Sequence, residues 1–197
     1  MANTAICAEL DGVVDLSCIR SLVKRYFQEI VIINQNDIDY TLSVPSLTAG
    51  AVCDYSLPLT LKAGKKGVML KLPENGNTIR GSFAKTTDDN GFVQYLHTVQ
   101  ILVSGVSKEN KCILDKLDRG RYVVAAQLAD GTVEIYGFQN GLTTGDYTYD
   151  LVEGGGGAKI PLQSKDTEQE TLLPMVYKSA VPGSENADFN EQFSQIP

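Results

Sequence analysis

Tryptophan is absent from this 197-residue chain, histidine occurs once, and the four cysteines include no C-x-x-C pair. Each shortage removes a class of function. A histidine-based metal centre is out of reach, because zinc sites draw several ligands from His and Cys. A Ser-His or Cys-His catalytic pair would have to be built on His97, yet no G-x-S-x-G elbow occurs and the residue sits within a strand-like stretch. Cys7, Cys18, Cys53 and Cys112 are widely and unequally spaced, so a zinc cluster and a thioredoxin-like motif are both excluded. Reduced, mostly buried thiols are expected. Basic charge is also scarce: 17 Lys and Arg face 24 Asp and Glu, a net of -7, which leaves no positive field for tight binding to phosphates. Long apolar runs are missing too. The longest, Ile30 to Ile33 and Tyr122 to Ala126, are far too short to cross a bilayer, and Met1 to Thr4 opens no basic-then-apolar leader. No membrane association is expected, and assembly is placed in the cytoplasm.

What the sequence does hold is β-structure. At 43% hydrophobic and 21% charged, the chain can bury one core. Tyr26 to Ile33 reads as a strand from its β-branched and aromatic content, with a short helix over Ile19 to Tyr26 leading into it. Tyr40 to Val44 reads as extended up to Pro45. Leu57 to Lys62 and Val68 to Leu72 flank Gly64 and Gly67 and are expected to form a hairpin. A longer hairpin, Thr78 to Lys85 with Phe92 to Gly105, closes on Asn90-Gly91, and a compact one, Arg121 to Leu128 with Thr132 to Phe138, on Asp130-Gly131. Along the long arm, Val93, Tyr95, His97, Val99, Ile101 and Val103 alternate with Gln94, Leu96, Thr98, Gln100, Leu102 and Ser104. This is the period-two pattern of a sheet with one packed face and one wet face.

Ser107 to Leu117 is the predicted helix, capped by Ser107, with Glu109 in its first turn, an apolar stripe of Ile113, Leu114 and Leu117, and Gly120 as its stop. Gly154 to Gly157 precedes Ala158-Lys159-Ile160-Pro161 rather than the Lys and Ser or Thr of a phosphate loop, and leads into a strand over Ala158 to Leu162. Asp88-Asp89-Asn90 lacks the spaced carboxylates of a calcium loop and reads as a hairpin tip. Lys62, Lys65 and Lys66 are too few for a nucleic-acid footprint and are expected to solvate a turn or meet an acidic neighbour. From Lys165 onward, Asp166, Glu168, Glu170, Glu185, Asp188 and Glu191 face only Lys165 and Lys178. Residues 165–197 therefore read as an acidic extension or arm on a β domain of residues 1–164. Because it keeps Leu172, Leu173, Met175, Val176, Tyr177, Phe189 and Phe193, it is expected to order mainly on assembly by burying them on a neighbour, the alternative being that it packs on its own subunit with only its last residues loose.

The order of these elements resembles the tail-tube proteins of long-tailed bacteriophages, whose fold is shared with the inner tubes of contractile injection systems and type VI secretion. An N-terminal strand (Tyr26 to Ile33), a long hairpin (Thr78 to Gly105), one helix (Ser107 to Leu117), a tight hairpin (Arg121 to Phe138), a glycine-rich loop and a final strand occur in the family's sequence. Cys7-Ala8-Glu9-Leu10-Asp11-Gly12 and Tyr136-Gly137-Phe138-Gln139-Asn140-Gly141-Leu142 are also similar to stretches of prophage tail-tube-like proteins. The resemblance runs from Met1 to about Lys178 and implies a mainly β, antiparallel sandwich or barrel with a long projecting hairpin and one flanking helix. It also implies closure into homohexameric rings that stack into a tube for DNA delivery, with other tail proteins at the ends, in the virion tail of a phage assembled in the host cytoplasm. No catalysis, cofactor or metal is implied.

In that setting the hairpin tip, Thr86, Thr87, Asp88, Asp89 and Asn90, is expected to join one ring to the next. Gln94, Thr98, Gln100 and Ser104 are expected to face the channel, where uncharged polar groups let DNA pass without binding. The alternatives are a ring or hub protein of a short tail, or a capsid-decoration or carbohydrate-binding β-sandwich module, against which the missing tryptophan argues.

Overall fold

The computed structural model describes residues 27–49, 52–71, 79–104, 107–128, 130–150 and 157–193. The strands are β1 (Phe27–Asn34), β2 (Ser46–Ala49), β3 (Val52–Leu57), β4 (Val68–Lys71), β5 (Arg80–Thr87), β6 (Val93–Ser104), β7 (Tyr122–Leu128), β8 (Val133–Tyr136), β9 (Thr143–Thr144), β10 (Gly157–Gln163) and β11 (Met175–Tyr177). Helix α1 spans Lys108–Arg119 and α2 spans Glu185–Asn190. The protein is mainly β. One sheet has the order β2-β3-β11-β8-β7-β1-β4 and a second the order β5-β6-β10-β9.

The two richest apolar runs lie at the interior of the larger sheet. β1 pairs antiparallel with β4 on one side and β7 on the other, so Ile30, Val31, Ile32 and Ile33 alternate between two faces that are both covered. That double burial explains why β1 and β7 are continuous apolar runs rather than alternating ones. One face packs Ile30, Ile32, Val124 and Ala126 against Val99, Ile101, Ile160 and Leu162 of the second sheet and Leu114 and Leu117 of α1. The opposite face packs Val31, Ile33, Val123 and Ile135 against Leu57, Leu59, Met175, Phe189 and Phe193. Each such side chain contributes about 1.5–3 kcal/mol of burial, before ordering costs.

The helix expected near Ser107 is present, and the Ser107 side chain accepts from the Asn110 N–H at 3.0 Å. Ile113 departs from the expected stripe and is exposed. The Asp130-Gly131 hairpin pairs β7 with β8 as predicted, with Gly131 at φ +87°.

Several expectations are corrected. No closed barrel forms among the described strands: the arrangement is two packed sheets, and β3 pairs parallel with β11 in an otherwise antiparallel set. Residues 57–62 do not pair with 68–71, because β4 turns onto β1 instead. Gly67 permits that approach, since a Cβ there would lie 2.3 Å from Val31 Cγ1. Residues 40–42 form a turn rather than a strand: Asp39 Oδ1 accepts from the Thr41 N–H and Oγ1–H, and its carbonyl accepts from Ser43. A second helix, α2, joins α1. Cys53 and Cys112 are exposed rather than buried.

The largest correction concerns residues 165–193. Instead of an arm, they supply β11 to the interior of the larger sheet and bury Met175, Tyr177, Phe189 and Phe193. Leu172, Met175, Tyr177, Phe189 and Phe193 of this acidic stretch find their pockets on their own subunit, whereas Val176 and Val181 stay exposed. The predicted helix over Ile19 to Tyr26, the family-like stretch Cys7 to Gly12 and most of the glycine run lie outside the described residues.

Candidate assembly surface

β5 and β6 pair antiparallel from Arg80↔Gln100 to Thr87↔Val93. Their turn is organised by Asp88, whose Oδ1 accepts from the N–H groups of Asn90 at 2.9 Å and Phe92 at 2.8 Å, while Gly91 takes φ +84°. The five predicted tip residues therefore divide by role. Asp88 holds the turn, Thr86 bonds Gln169, and Thr87, Asp89 and Asn90 are exposed.

Sequence reasoning missed what lies beside the tip. Opposed residues of an antiparallel pair share a face, so Phe83 and Lys85 join Tyr95 and His97 on the side that packs inward farther along β6. At this end the packing stops. Phe83 is 52% exposed, Phe92 68% and Val93 41%, and the Phe83 ring meets Tyr95 edge-on at 6.2 Å. The signal was available as the continuation of the β5 and β6 alternation past the last buried residue, His97.

Gln94, Thr98 and Gln100 do share the opposite face, each half-buried. Their cross-strand partners there are Thr86, Ser82 and Arg80 on β5, and Gln163 and Pro161 face Thr98 and Gln100 from β10. Lys159, opposite Leu102, adds a second cation, and no carboxylate lies among these residues. Ser104 pairs with Gly157 at the far end of the ladder; its side chain is outside the described set.

His97 is 2% exposed. The Gly137 N–H donates to its Nδ1 at 3.1 Å, which puts the neutral ring's proton on Nε2. Among the described residues Nε2 has no hydrogen bond of ordinary geometry, the Leu172 carbonyl being the one acceptor that acts on it. Burial holds the imidazole down to about 4, opposed only by the Leu172 carbonyl. A neutral, buried ring touching Tyr136 edge-on at 5.8 Å is a packing residue.

After β10, the chain loops out and returns to β6. Tyr95 and Glu170 exchange two backbone hydrogen bonds, at 2.7 and 3.0 Å. The Glu170 side chain, in a residue 1% exposed, accepts from the N–H groups of Gln139 and Asn140, both at 2.9 Å. Burial raises its pKa above the usual carboxyl value, while the N–H groups of Asn140, Gln139 and Gly141 oppose the shift.

Of the basic cluster, Lys65 meets Asp37 at 3.2 Å and Lys62 Nζ donates to the Asn36 carbonyl, as an acidic neighbour and a solvated turn require. Among the described residues, no group of three or more His, Cys, Asp or Glu could hold a metal ion, and no helix is long and apolar enough to cross a membrane. Comparison with protein-family models, with curated proteins and with solved structures finds no match to this chain.

Proposed function

We propose that the chain is a non-enzymatic structural subunit that assembles with copies of itself into rings, and that stacked rings form a tube through which DNA passes, as in the phage tail tubes it resembles. The observation that carries this reading is the open end of the second sheet. Among the described strands β5 is an eight-residue edge strand with mostly exposed side chains; it carries the exposed Phe83 at its middle and ends beside the bare apolar side chains Phe92 and Val93. A long exposed edge of this kind invites pairing with another chain, and closed cyclic assembly uses up such edges without open-ended growth.

In this proposal the hairpin end contacts the next ring, and the face with Gln94, Thr98 and Gln100 approaches the channel. Arg80 and Lys159 add two cations per subunit to that face, which the alternation of β6 alone did not reveal. The net charge of -7 keeps the remainder of the subunit unattractive to phosphates. The place of action is the virion tail, with other tail proteins at the tube ends.

Light scattering on the purified protein tests the reading. A mass several times 21.4 kDa, rising with concentration, is expected. A strictly monomeric protein at every concentration and salt would end it.

A further inference from the structure

We infer that residues 168–171 form a strap that fixes the stance of the β5–β6 hairpin on the body, with Glu170 as its anchoring residue. Four consecutive residues each make a specific attachment. The Glu168 carboxylate pairs with Arg121 at 2.6 Å, and the same guanidinium donates to the Asn140 carbonyl at 3.1 Å. The Gln169 carbonyl accepts from Asn140 Nδ2 at 2.7 Å, and its side chain bonds Thr86 on β5. Glu170 bridges Tyr95 on β6 through its backbone and the 139–140 corner through its carboxylate. Thr171 donates from both N–H and Oγ1 to Gln139 Oε1, at 2.7 and 2.9 Å. The strap thus holds both arms of the hairpin and ties both to one turn of the body.

The chemistry of the anchor is specific. Gly137 and Gly141 take φ +70° and +78°, and the backbone between them directs consecutive N–H groups to one point, a concavity suited to an anion. Glu170 fills it from within the chain. Arg121, which reaches the same corner, pairs with Glu168, and the Glu170 carboxylate is held by neutral N–H donors. A buried carboxylate held this way is costly to place and costly to remove, because its loss leaves the donors unsatisfied.

The consequence is mechanical. β10 covers β6 as far as Thr98, Ser164 bonds His97 and Glu170 bonds Tyr95, so the hairpin extends past its last attachment only from about Thr87 to Gln94. A hairpin fixed before it meets a partner loses less conformational freedom on binding. This consequence rests on the assembly reading, whereas the strap itself does not.

Amide hydrogen exchange on unassembled protein separates the two. In Glu170→Ala, the Tyr95 and Glu170 amides and their β5 neighbours should exchange about tenfold faster or more, while Val31 and Ala125 in the larger sheet keep wild-type rates. A second variant, Thr86→Val with Gln169→Ala, opens the strap from the hairpin side without touching the buried carboxylate. It should raise exchange at the same hairpin amides by a smaller factor. Unchanged hairpin exchange in the second variant, or a rise in Glu170→Ala spread equally over Val31 and Ala125, would overturn the strap. If hairpin exchange rises as expected and wild-type protein never assembles, the strap stands and the assembly reading falls.

Discussion

Replacing His97 with Phe converts the one histidine into a test of how the two sheets are packed. In the folded protein the imidazole is held neutral down to about pH 4, whereas an exposed histidine titrates near 6.5. A basic group whose folded pKa is depressed takes up its proton first in the unfolded chain, so acidification from 6.5 toward 4 favours unfolding. The slope is about 1.4 kcal/mol per pH unit. Over the 1.5 units down to pH 5 the loss is about 2 kcal/mol, or about 4–8 °C in Tm for a chain of this size.

The phenyl ring keeps the contact with Tyr136 and cannot titrate, but it strands the Gly137 N–H at a cost of about 1–3 kcal/mol at every pH. The variant should therefore be less stable at pH 7 and should approach or cross the wild type by pH 5. Glu170 acts with the opposite sign: its folded pKa is raised, so its contribution to stability grows as pH falls through that pKa toward 4.5. That effect is common to both proteins and cancels in their difference. The carboxylates with lowered pKa, Asp37, Asp39, Asp54 and Glu109, contribute stability that is lost only below about pH 4.5, outside the window. Thermal melts of both proteins at pH 7, 6 and 5 read the difference directly. Equal loss of Tm between pH 7 and 5 in the two proteins would refute the assignment of His97 as a buried neutral packing residue.

Four further outcomes are expected. Deleting Thr87 to Asn90 should leave a folded subunit that no longer forms long tubes; normal tube length in electron micrographs would remove the tip from ring stacking. Phe92→Ser should raise the concentration at which assembly begins, measured by light scattering, with Tm within about 0.5 kcal/mol equivalent of wild type because the ring is exposed in the subunit. Arg at both Gln94 and Gln100 should slow DNA passage while sparing assembly, and normal ejection from tails carrying both changes would turn that face away from the channel. Phe189→Ala should cost about 3–5 kcal/mol in chemical denaturation of the isolated subunit. A loss below 1 kcal/mol would return residues 165–193 to the status of a loose arm.

What could be read from the sequence was local. The Ser107 cap, the Asp130-Gly131 turn, the Asn90-Gly91 turn and the apolar runs of β1 and β7 each declare themselves within about ten residues, because turn chemistry and strand burial leave short-range marks. The pairing partners did not. β4 runs back to β1, and β11 inserts beside β3 more than a hundred residues earlier in the chain, choices set by packing and not by turn residues. Met175, Tyr177, Phe189 and Phe193 announced that the acidic residues 165–193 had apolar groups to bury, but local sequence does not say whose surface buries them, and the pockets belong to the subunit's own core. For the candidate site, alternation on β6 correctly separated Gln94, Thr98 and Gln100 from His97, Val99 and Ile101. The role of Glu170 was invisible, since a glutamate in an acidic stretch carries no sign that backbone N–H groups thirty residues earlier converge on it.

Negative-stain microscopy of the purified full chain tests the central claim most directly. Rings or tubes of uniform bore, lost in Lys85→Pro, which removes an N–H that faces away from β6 on the open edge of β5 and spares the β5–β6 ladder, are the predicted result. Single particles of subunit size under every condition of concentration, salt and pH would contradict it.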